Sequence, residues 1–428
     1  MGYYKCDSGI LRCGDCKDEM KTLPGNHVTG IVTDPPYGLK FMGKKWDYDI
    51  PSVEIFKEMY RVLKPGGFML CFAGSRTQHR MAVNIEDAGF ELRDVMMWVY
   101  GSGFPKSYNI GKGVDKKLGN EREKYLKTDG IGSDSGSGRY NFNNGNSKLE
   151  SEYYDSKGNT IWEGYGTALK PAYEPIIIAM KSNDGGFVDN ALEHGVAGIN
   201  IDGCRVGTDI RQNPQAGFIR RGRTDEEVFN TTDKNKSEGK VCVQGRFPAN
   251  IIHDGSDEVV GLFPNSKGQQ GDLKTYRQNK QSKNGIYGKW NEVSAFDKRG
   301  DSGSAARFFY CAKASKSERN AGCEKLEIKR PDDRTKTGMG SFEEKGVQPQ
   351  SNNHPTVKPL PLMTYLTKLV KMPENTLILD PFAGSGSTLL ACIRNNINFI
   401  GIEMSGEYCE IAKARIENER SQLRIDLA

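Results

Sequence analysis

Long apolar runs are absent from this chain of 428 residues. None approaches the roughly 20 residues a membrane-spanning helix needs, so no membrane partner is expected. The first residues, Met1-Gly2-Tyr3-Tyr4-Lys5-Cys6, lack the apolar core of an export signal. They also lack the Ser or Thr that a myristoylation site places after its Met-Gly start. With no export route, the 10 cysteines are expected as thiols of a reducing compartment, the cytoplasm. Several of them (Cys71, Cys311, Cys392) sit in apolar runs. Cys13 and Cys16 form a C-x-x-C with Cys6 nearby. A fourth zinc ligand is missing, so packing is expected there rather than a metal. A strong excess of positive charge is lacking too. The formal net charge of +5 permits a polyanion partner without demanding one.

What is present fits a globular protein. Hydrophobic residues make up 36% and charged residues 27%, and the chain is long enough to bury a sizeable core. The 50 glycines point to long loops or insertions beside that core. Thr29–Thr33 reads as a short buried strand that runs into Asp34-Pro35-Pro36-Tyr37, where two prolines force a turn. Val53, Phe56, Met59, Tyr60 and Leu63 recur at helical spacing, and Lys64-Pro65-Gly66-Gly67 is expected to stop that helix. Phe68–Phe72 is a buried strand, Gln78–Ala88 a helix and Val95–Tyr100 a strand. Residues 111–160, rich in Gly, Asn, Ser and Lys, read as a flexible insertion outside the core. Pro175–Met180 returns to a strand, 183–305 loses regularity, and Ala305–Lys313 is strand-like. A polar connection over 314–353 follows. The last segment alternates regularly: helix Leu360–Val370, strand Thr376–Asp380, helix Thr388–Asn395, strand Asn398–Glu403, helix Tyr408–Asn418. This alternation predicts a doubly wound α/β sheet.

Two loops carry chemistry. The strand 376–380 ends in Asp380-Pro381-Phe382-Ala383-Gly384-Ser385-Gly386 before a helix, and the next strand ends in Glu403. Strand, glycine loop, helix, strand and terminal acid make the nucleotide-binding half of a Rossmann-like sheet. Glu403 is placed to accept from ribose hydroxyls. The loop is not G-x-G-x-x-G, and Asp380 opens it. A carboxylate there would repel a pyrophosphate but suits a cationic ligand. S-adenosylmethionine, with an adenosine, an amino group and a sulfonium, fits better than a dinucleotide.

The second loop is Asp34-Pro35-Pro36-Tyr37. An exocyclic amine on an aromatic base is a poor nucleophile because its lone pair is delocalised into the ring. The Asp34 carboxylate and the Pro35 carbonyl can accept its two protons and stabilise the positive charge that develops as a methyl group arrives. The prolines hold those acceptors in place beforehand, and Tyr37 offers a face for stacking. A base in a duplex must be flipped out to reach such a loop. Tyr37, Phe41, Trp46 and Trp98 are candidates to hold it, although Trp98, in an apolar run, serves equally well as core. An ordinary proline turn capped by Asp would account for Asp-Pro alone. No cysteine stands in the Pro-Cys context that ring-carbon methylation needs.

With these residues the chain resembles the permuted (beta-class) amino-DNA methyltransferases, the adenine-N6/cytosine-N4 family in which the catalytic motif precedes the cofactor motif. The resemblance rests on Gly14-Asp15-Cys16, Asp34–Tyr37, Leu63–Gly67, His354-Pro355-Thr356-Val357-Lys358-Pro359, Asp380–Thr388 and Gly401-Ile402-Glu403, in that order. It implies a circularly permuted, Rossmann-like S-adenosylmethionine-dependent methyltransferase sheet with a large inserted target-recognition region. Catalytic roles fall to Asp34, Pro35, Pro36 and Tyr37. The cofactor would be held by Asp380, Pro381, Phe382, Ala383, Gly384, Ser385, Gly386 and Glu403, with Thr356 and Lys358 closing over its methionine part. Asp15, grouped with these, would lie beside the target-base pocket. On residues alone His354–Pro359 is a rigid linker before a helix. The implied division is 1–110 catalytic half, 111–160 insertion, 161–182 core strand segment, 183–305 target recognition and 306–428 cofactor half. Asp rather than Ser before Pro-Pro-Tyr favours adenine N6 over cytosine N4.

DNA is the expected substrate and partner. Acidic and basic residues nearly cancel over 183–305, so local clusters matter more than the total. Lys274, Arg277, Lys280, Lys283 and Lys289 are interleaved with Tyr276, Tyr287 and Trp290, a pattern that binds phosphates and presses on bases. Lys274, Arg277, Lys280, Lys283 and Trp290 are the DNA-binding candidates; Arg220, Arg221 and Arg223 form a smaller cluster. A homodimer and a cognate restriction endonuclease are compatible with this reading and required by neither motif. Other classes weighed are an RNA or protein-amine methyltransferase sharing the Pro-Pro-Tyr loop, and a catalytically silent DNA-binding relative. The intact acids and glycines argue against the silent relative.

Overall fold

A computed structural model describes residues 3–39, 48–103, 107–126, 154–212, 242–266, 302–312, 316–327 and 351–426. Its centre is a ten-stranded sheet. The order across it is Tyr3–Cys6, Gly9–Cys13, Asn398–Glu403, Leu377–Asp380, Val28–Thr33, Leu63–Phe72, Tyr173–Met180, Glu91–Val99, Ile251–His253 and Tyr310–Cys311. Strands from both ends of the chain therefore meet in the middle: Ile378 pairs with Gly30 and Leu379 with Ile31, both in parallel. The strand bearing Asp34 precedes the strand bearing Asp380 in the chain and lies beside it in the sheet.

Eight of these strands run in one direction. The edge strand Tyr3–Cys6 is antiparallel to its neighbour, and Tyr173–Met180 is antiparallel to strands on both sides. The first matters only at the edge. The second puts a strand start, Tyr173-Glu174, at the sheet edge where its two antiparallel neighbours end.

Successive residues on the central strands alternate between two cores, as a pleated sheet requires. Val32, Leu70, Phe72, Ile176 and Ile378 face one side, against the helices Leu360–Leu369, Ser387–Arg394 and Gly406–Asp426. Ile31, Met69, Cys71, Ile177 and Leu379 face the other, against Cys16–Lys21, Val53–Val62 and Gln78–Asp87. Covering both faces is what lets the strands be apolar without interruption. Phe56 and Met59, one helical turn apart, are fully buried in the second core; truncating Phe56 would cost about 3–5 kcal/mol.

Three departures from the sequence expectations have physical reasons. Lys64-Pro65-Gly66-Gly67 does end the helix, but it belongs to the strand Leu63–Phe72, whose register against Val28–Thr33 shifts at that point. Gly66 takes φ +71°, and a Cβ there would meet Asn190 Nδ2 at 2.4 Å, so the irregular strand start is packed on the helix Phe187–His194. Within the run expected over 305–313, the described residues 305–312 do not form one strand. Ser304 accepts from Ala306 N–H and caps a 3₁₀ turn over Ala305–Phe308, leaving only Tyr310–Cys311 in the sheet. Finally, part of the expected insertion 183–305 lies in the central sheet: Ile251–His253 pairs in parallel with Met97–Val99. Three residues are too short to carry a periodic signal.

The described parts of 111–160 hold a helix, Ile110–Leu118, and an antiparallel pair, Glu123–Leu126 with Tyr154–Lys157. Arg122 bridges buried Asp115 and Glu163 between them. Among the described residues no helix is long and apolar enough to cross a membrane.

Candidate active site

A cleft of about 910 Å³ opens along the edge where the parallel strands end. Asp34, Asp380 and Glu403 each stand at the close of a strand or just beyond it, and all three line the cleft. Open α/β sheets place ligands at this edge.

On one side lies the glycine loop. Asp380 is buried and accepts three hydrogen bonds, from Thr33 Oγ1 at 2.7 Å, Thr388 Oγ1 at 2.5 Å and Phe382 N–H at 3.1 Å. Burial nevertheless pushes its carboxyl up to about 6. Gly384 adopts φ +52°, and a Cβ there would sit 2.8 Å from His354 Nε2. The glycine is thus needed both for its conformation and for the close approach of His354. Its N–H donates to Glu403 Oε2 at 2.8 Å, while Ser405 N–H donates to Glu403 Oε1 at 2.8 Å. Burial raises the Glu403 carboxyl, and these backbone donors pull the other way. Gly386, at φ +82°, precedes the helix Ser387–Arg394 as its N-cap and packs on Ala412 rather than lining the cleft. Pro381, Phe382, Ala383 and Ser385 do line it.

The loop is held from below by Arg415, which is 1% exposed. Its guanidinium donates to Ser385 O at 2.6 Å and Ser385 Oγ at 3.0 Å, and lies 3.3 Å from Ser387 Oγ. His354 stacks edge-on against Tyr408 at 4.5 Å. Burial, with Lys358 and two arginines nearby, lowers its imidazole to about 3, so it stays neutral. The combination of left-handed glycines, carboxylates and the apolar Phe382 and Met404 suits a nucleoside ligand that also carries positive charge.

Across the cleft is a charged cluster. Lys358, 8% exposed, donates to Asp34 Oδ2 at 2.6 Å and lies 3.2 Å from Glu174 Oε2. The Tyr37 hydroxyl donates to Asp34 Oδ1 at 2.7 Å, stands 3.0 Å from Glu174 Oε2, and accepts from Lys358 at 3.2 Å. Tyr100 reaches Glu174 Oε1 at 3.5 Å. Burial would lower the Lys358 ammonium, but Asp34 and Glu174 outweigh it and hold it above its ordinary value. Burial raises the Asp34 carboxyl, Lys358 draws it down and Glu174 raises it again. The Tyr37 hydroxyl is pushed well above its usual value by burial and then by the two carboxylates. Thr77 Oγ1 donates to the Tyr37 carbonyl at 2.7 Å and pins the loop.

Asp34, Pro35, Pro36, Tyr37, Thr356, Lys358 and the loop 380–385 with Glu403 therefore meet in one cleft, from segments more than 300 residues apart. Asp15 lines it as well, at the N-terminus of the helix Cys16–Lys21, where its side chain caps Lys17 N–H at 2.9 Å. Lys358 points into the Asp34 cluster. Trp98 is 9% exposed, lines the cleft and packs on Tyr100 at 4.9 Å; its indole N–H has no partner among the described residues. It is core and cleft wall at once. Lys274, Arg277, Lys280, Lys283, Lys289, Trp290, the arginines 220, 221 and 223, and Phe41 and Trp46 lie outside the described residues. Sequence reasoning missed Glu174, Tyr100 and Arg415. Glu174 carried a usable signal, an acid beside a proline at a strand boundary. Arg415 carried none, being one cation in a charged helix.

A family model described as DNA methylase matches residues 28–414. Among curated proteins, the Type II methyltransferase M2.MboI of Moraxella bovis is 40% identical over 77 residues, 18% of this chain and 26% of that protein. The DNA adenine methyltransferase YhdJ of Escherichia coli is 38% identical over 65 residues, 15% of this chain and 22% of that protein. The chain thus matches only about a quarter of these relatives' length. A solved structure, PvuII DNA methyltransferase (cytosine-N4-specific), shares 14% identity, with 99% of this chain and 92% of that one covered and a TM-score of 0.43.

Proposed function

The chain belongs to the N6/N4 DNA methylase family, and from that premise we propose that it transfers a methyl group from S-adenosylmethionine to the exocyclic amine of a flipped-out DNA base, adenine N6. One observation carries this reading: a single cleft holds the Asp34-Pro35-Pro36-Tyr37 loop on one side and the glycine loop with Glu403 on the other. An amine acceptor and a nucleoside cradle are the two parts the reaction needs.

S-adenosylmethionine, when bound, supplies an electrophilic methyl carbon. Glu403 would hold the ribose, and Gly384 and Ser385 would let the ligand approach the backbone, with Arg415 keeping that loop in shape. Asp34 and the Pro35 carbonyl would accept the two amine protons and turn the nitrogen lone pair toward the methyl carbon. Taking up that methyl group would leave the amine nitrogen with a positive charge, which the Asp34 carboxylate and the Pro35 carbonyl would stabilise, and Asp34 would then accept one of its protons. Trp98 and Tyr37 would bound the flipped base by their rings.

Adenine is preferred on two grounds. Asp34 precedes Pro-Pro-Tyr, and a relative of this chain is named an adenine methyltransferase. Within the proposal the order of the halves is a permuted one, the region 183–305 reads the target, and Lys274, Arg277, Lys280, Lys283 and Trp290 contact DNA.

Incubating the protein with DNA and labelled cofactor, then digesting to nucleosides, tests the proposal. N6-methyldeoxyadenosine is expected; N4-methyldeoxycytidine would move the specificity, and no labelled base would refute the reading. Asp34→Ala is expected to lower methyl transfer by at least about 100-fold while cofactor binding persists. Retained activity in that variant would remove Asp34 from the mechanism.

A further inference from the structure

We propose that Glu174 is a positioning residue: it is the standing counter-ion of Lys358, and so leaves Asp34 free to exchange charge with the substrate amine. The inference rests on the methyl-transfer reading above and assigns a role to a group outside the family motifs quoted for this chain.

The geometry sets the problem. Lys358 is a buried cation between two carboxylates, 2.6 Å from Asp34 Oδ2 and 3.2 Å from Glu174 Oε2. A buried cation left without a partner is expensive. If Asp34 were its sole partner, the pair would be neutral and Asp34 would be committed to it. Two things would then fail. The pair would offer no net negative charge to the ammonium that forms as the C–N bond closes. And protonation of Asp34 by that ammonium would strand Lys358. With Glu174 in place, one cation faces two carboxylates. The cluster carries a net charge of one negative before transfer. After the amine proton moves to Asp34, Lys358 remains paired with Glu174. The proton then passes from Asp34 to solvent, and the cluster returns to its starting charge.

The fold explains how the second acid arrives. Glu174 starts a strand that runs against its neighbours, opposite Trp98. Its side chain is therefore delivered to the same edge as Asp34, from a strand that ends at the far side. Tyr37 and Tyr100 both reach it, at 3.0 and 3.5 Å, and fix the carboxylate against rotation. The titratable groups around the pair are Lys358, Tyr37 and Tyr100, with Cys71 on the strand Leu63–Phe72 and Asp380 on the strand Leu377–Asp380 sensing the Asp34 charge.

The test is single-turnover methylation of DNA by the full-length protein preloaded with S-adenosylmethionine, followed across pH for wild type and Glu174→Gln. Removing the like charge leaves Asp34 bound to Lys358 alone and makes it a weaker proton acceptor. The acid limb of the rate profile is then expected to move to lower pH while the plateau falls about 10- to 100-fold. A purely structural loss would lower the plateau without moving the limb. Cofactor affinity should stay within about twofold, which also reports that the variant is folded. In the double variant Glu174→Gln/Lys358→Met no cation needs a counter-ion, and the limb is expected to return to higher pH. If Glu174→Gln fails to bind cofactor, the double variant compared with Lys358→Met decides on the plateau: an equal plateau in those two supports the idea, and a plateau lowered further by Glu174→Gln in the absence of Lys358 overturns it. A Glu174→Gln enzyme with the wild-type plateau and limb would also overturn it, with methyl transfer itself intact. A wild-type protein that methylates no DNA would instead defeat the underlying reading.

Discussion

Replacing Lys358 by Met keeps most of the apolar stem and deletes the ammonium, which stands 4.8 Å from the Phe72 ring centre and donates to Asp34 and Tyr37. What remains is a pair of carboxylates, Asp34 and Glu174, that shared one cation at 2.6 and 3.2 Å. Removing one partner of a buried ion pair costs about 3–5 kcal/mol because the other charge is left behind. The cost depends on pH, and its sign follows from linkage. Without Lys358 the Asp34 carboxyl, already raised by burial, rises further. A carboxyl whose folded pKa lies above its unfolded value binds its proton more tightly in the native state. Its contribution is fully present below the unfolded value, near 4, and is lost as pH climbs through the folded one, at up to about 1.4 kcal/mol per pH unit. Lys358 itself, with a raised folded pKa, contributes stability that is constant over this range and is lost only at strongly alkaline pH. The wild-type minus variant difference should therefore be about 1 kcal/mol at pH 5 and grow to about 3–5 kcal/mol at pH 8. Urea unfolding of both proteins, followed by tryptophan fluorescence and far-UV circular dichroism at half-unit pH steps, measures it. A difference that stays flat, or shrinks as pH rises, would refute the buried-pair account.

Other perturbations separate the parts of the site. Glu403→Gln keeps the shape but weakens a charged acceptor that holds Gly384 and Ser405 N–H and would hold a ribose. The loss of about 1.5–3 kcal/mol corresponds to roughly 10- to 150-fold weaker cofactor binding by calorimetry, and an unchanged Kd would take Glu403 out of the cradle. His354 is held neutral, its imidazole lowered to about 3, so the unfolded chain takes up a proton below pH 6.5 that the native state refuses. Stability then falls as pH drops from 6.5 toward 3. Between pH 6 and pH 4 the wild type should lose about 2 kcal/mol more than His354→Gln, and parallel acid-unfolding curves would contradict the assignment.

Much of this site was legible because its signals are local. A glycine needed for its conformation at Gly384, an acid closing a strand at Glu403, and paired prolines after Thr33 each imply their geometry within a few residues. The two-faced core was legible for the same reason: an uninterrupted apolar run such as Phe68–Phe72 marks a strand covered on both faces. Short and irregular elements were not. Ile251–His253 has too few residues for a period, and the 3₁₀ turn at Ala305–Phe308 is decided by a single serine cap that apolar patterning does not register. Lys358 was visible in its motif, but its partner was not, because the ion pair to Asp34 spans 324 residues of chain.

Glu174 is the instructive case. Thr33-Asp34-Pro35 and Tyr173-Glu174-Pro175 each set an acid before a proline at a boundary of a buried apolar run, the first where the run ends and the second where it begins. Looking only where strands finish finds the first and passes over the second. The rule that ligands gather at the carboxyl ends of parallel strands holds for Asp34, Asp380 and Glu403, but its converse governs a reversed strand, whose amino end arrives at the same edge. The direction of a strand cannot be read from its own residues, since apolar alternation is the same in both senses. It is set by its neighbours, here by the antiparallel pairing of Cys71 with Ile177 and of Val95 with Ile177. An acid at the start of the one interior strand that runs backwards is therefore as exposed to the chemistry as an acid at the end of any other. Under the proposed function it is the residue that keeps a buried lysine from claiming the Asp34 carboxylate.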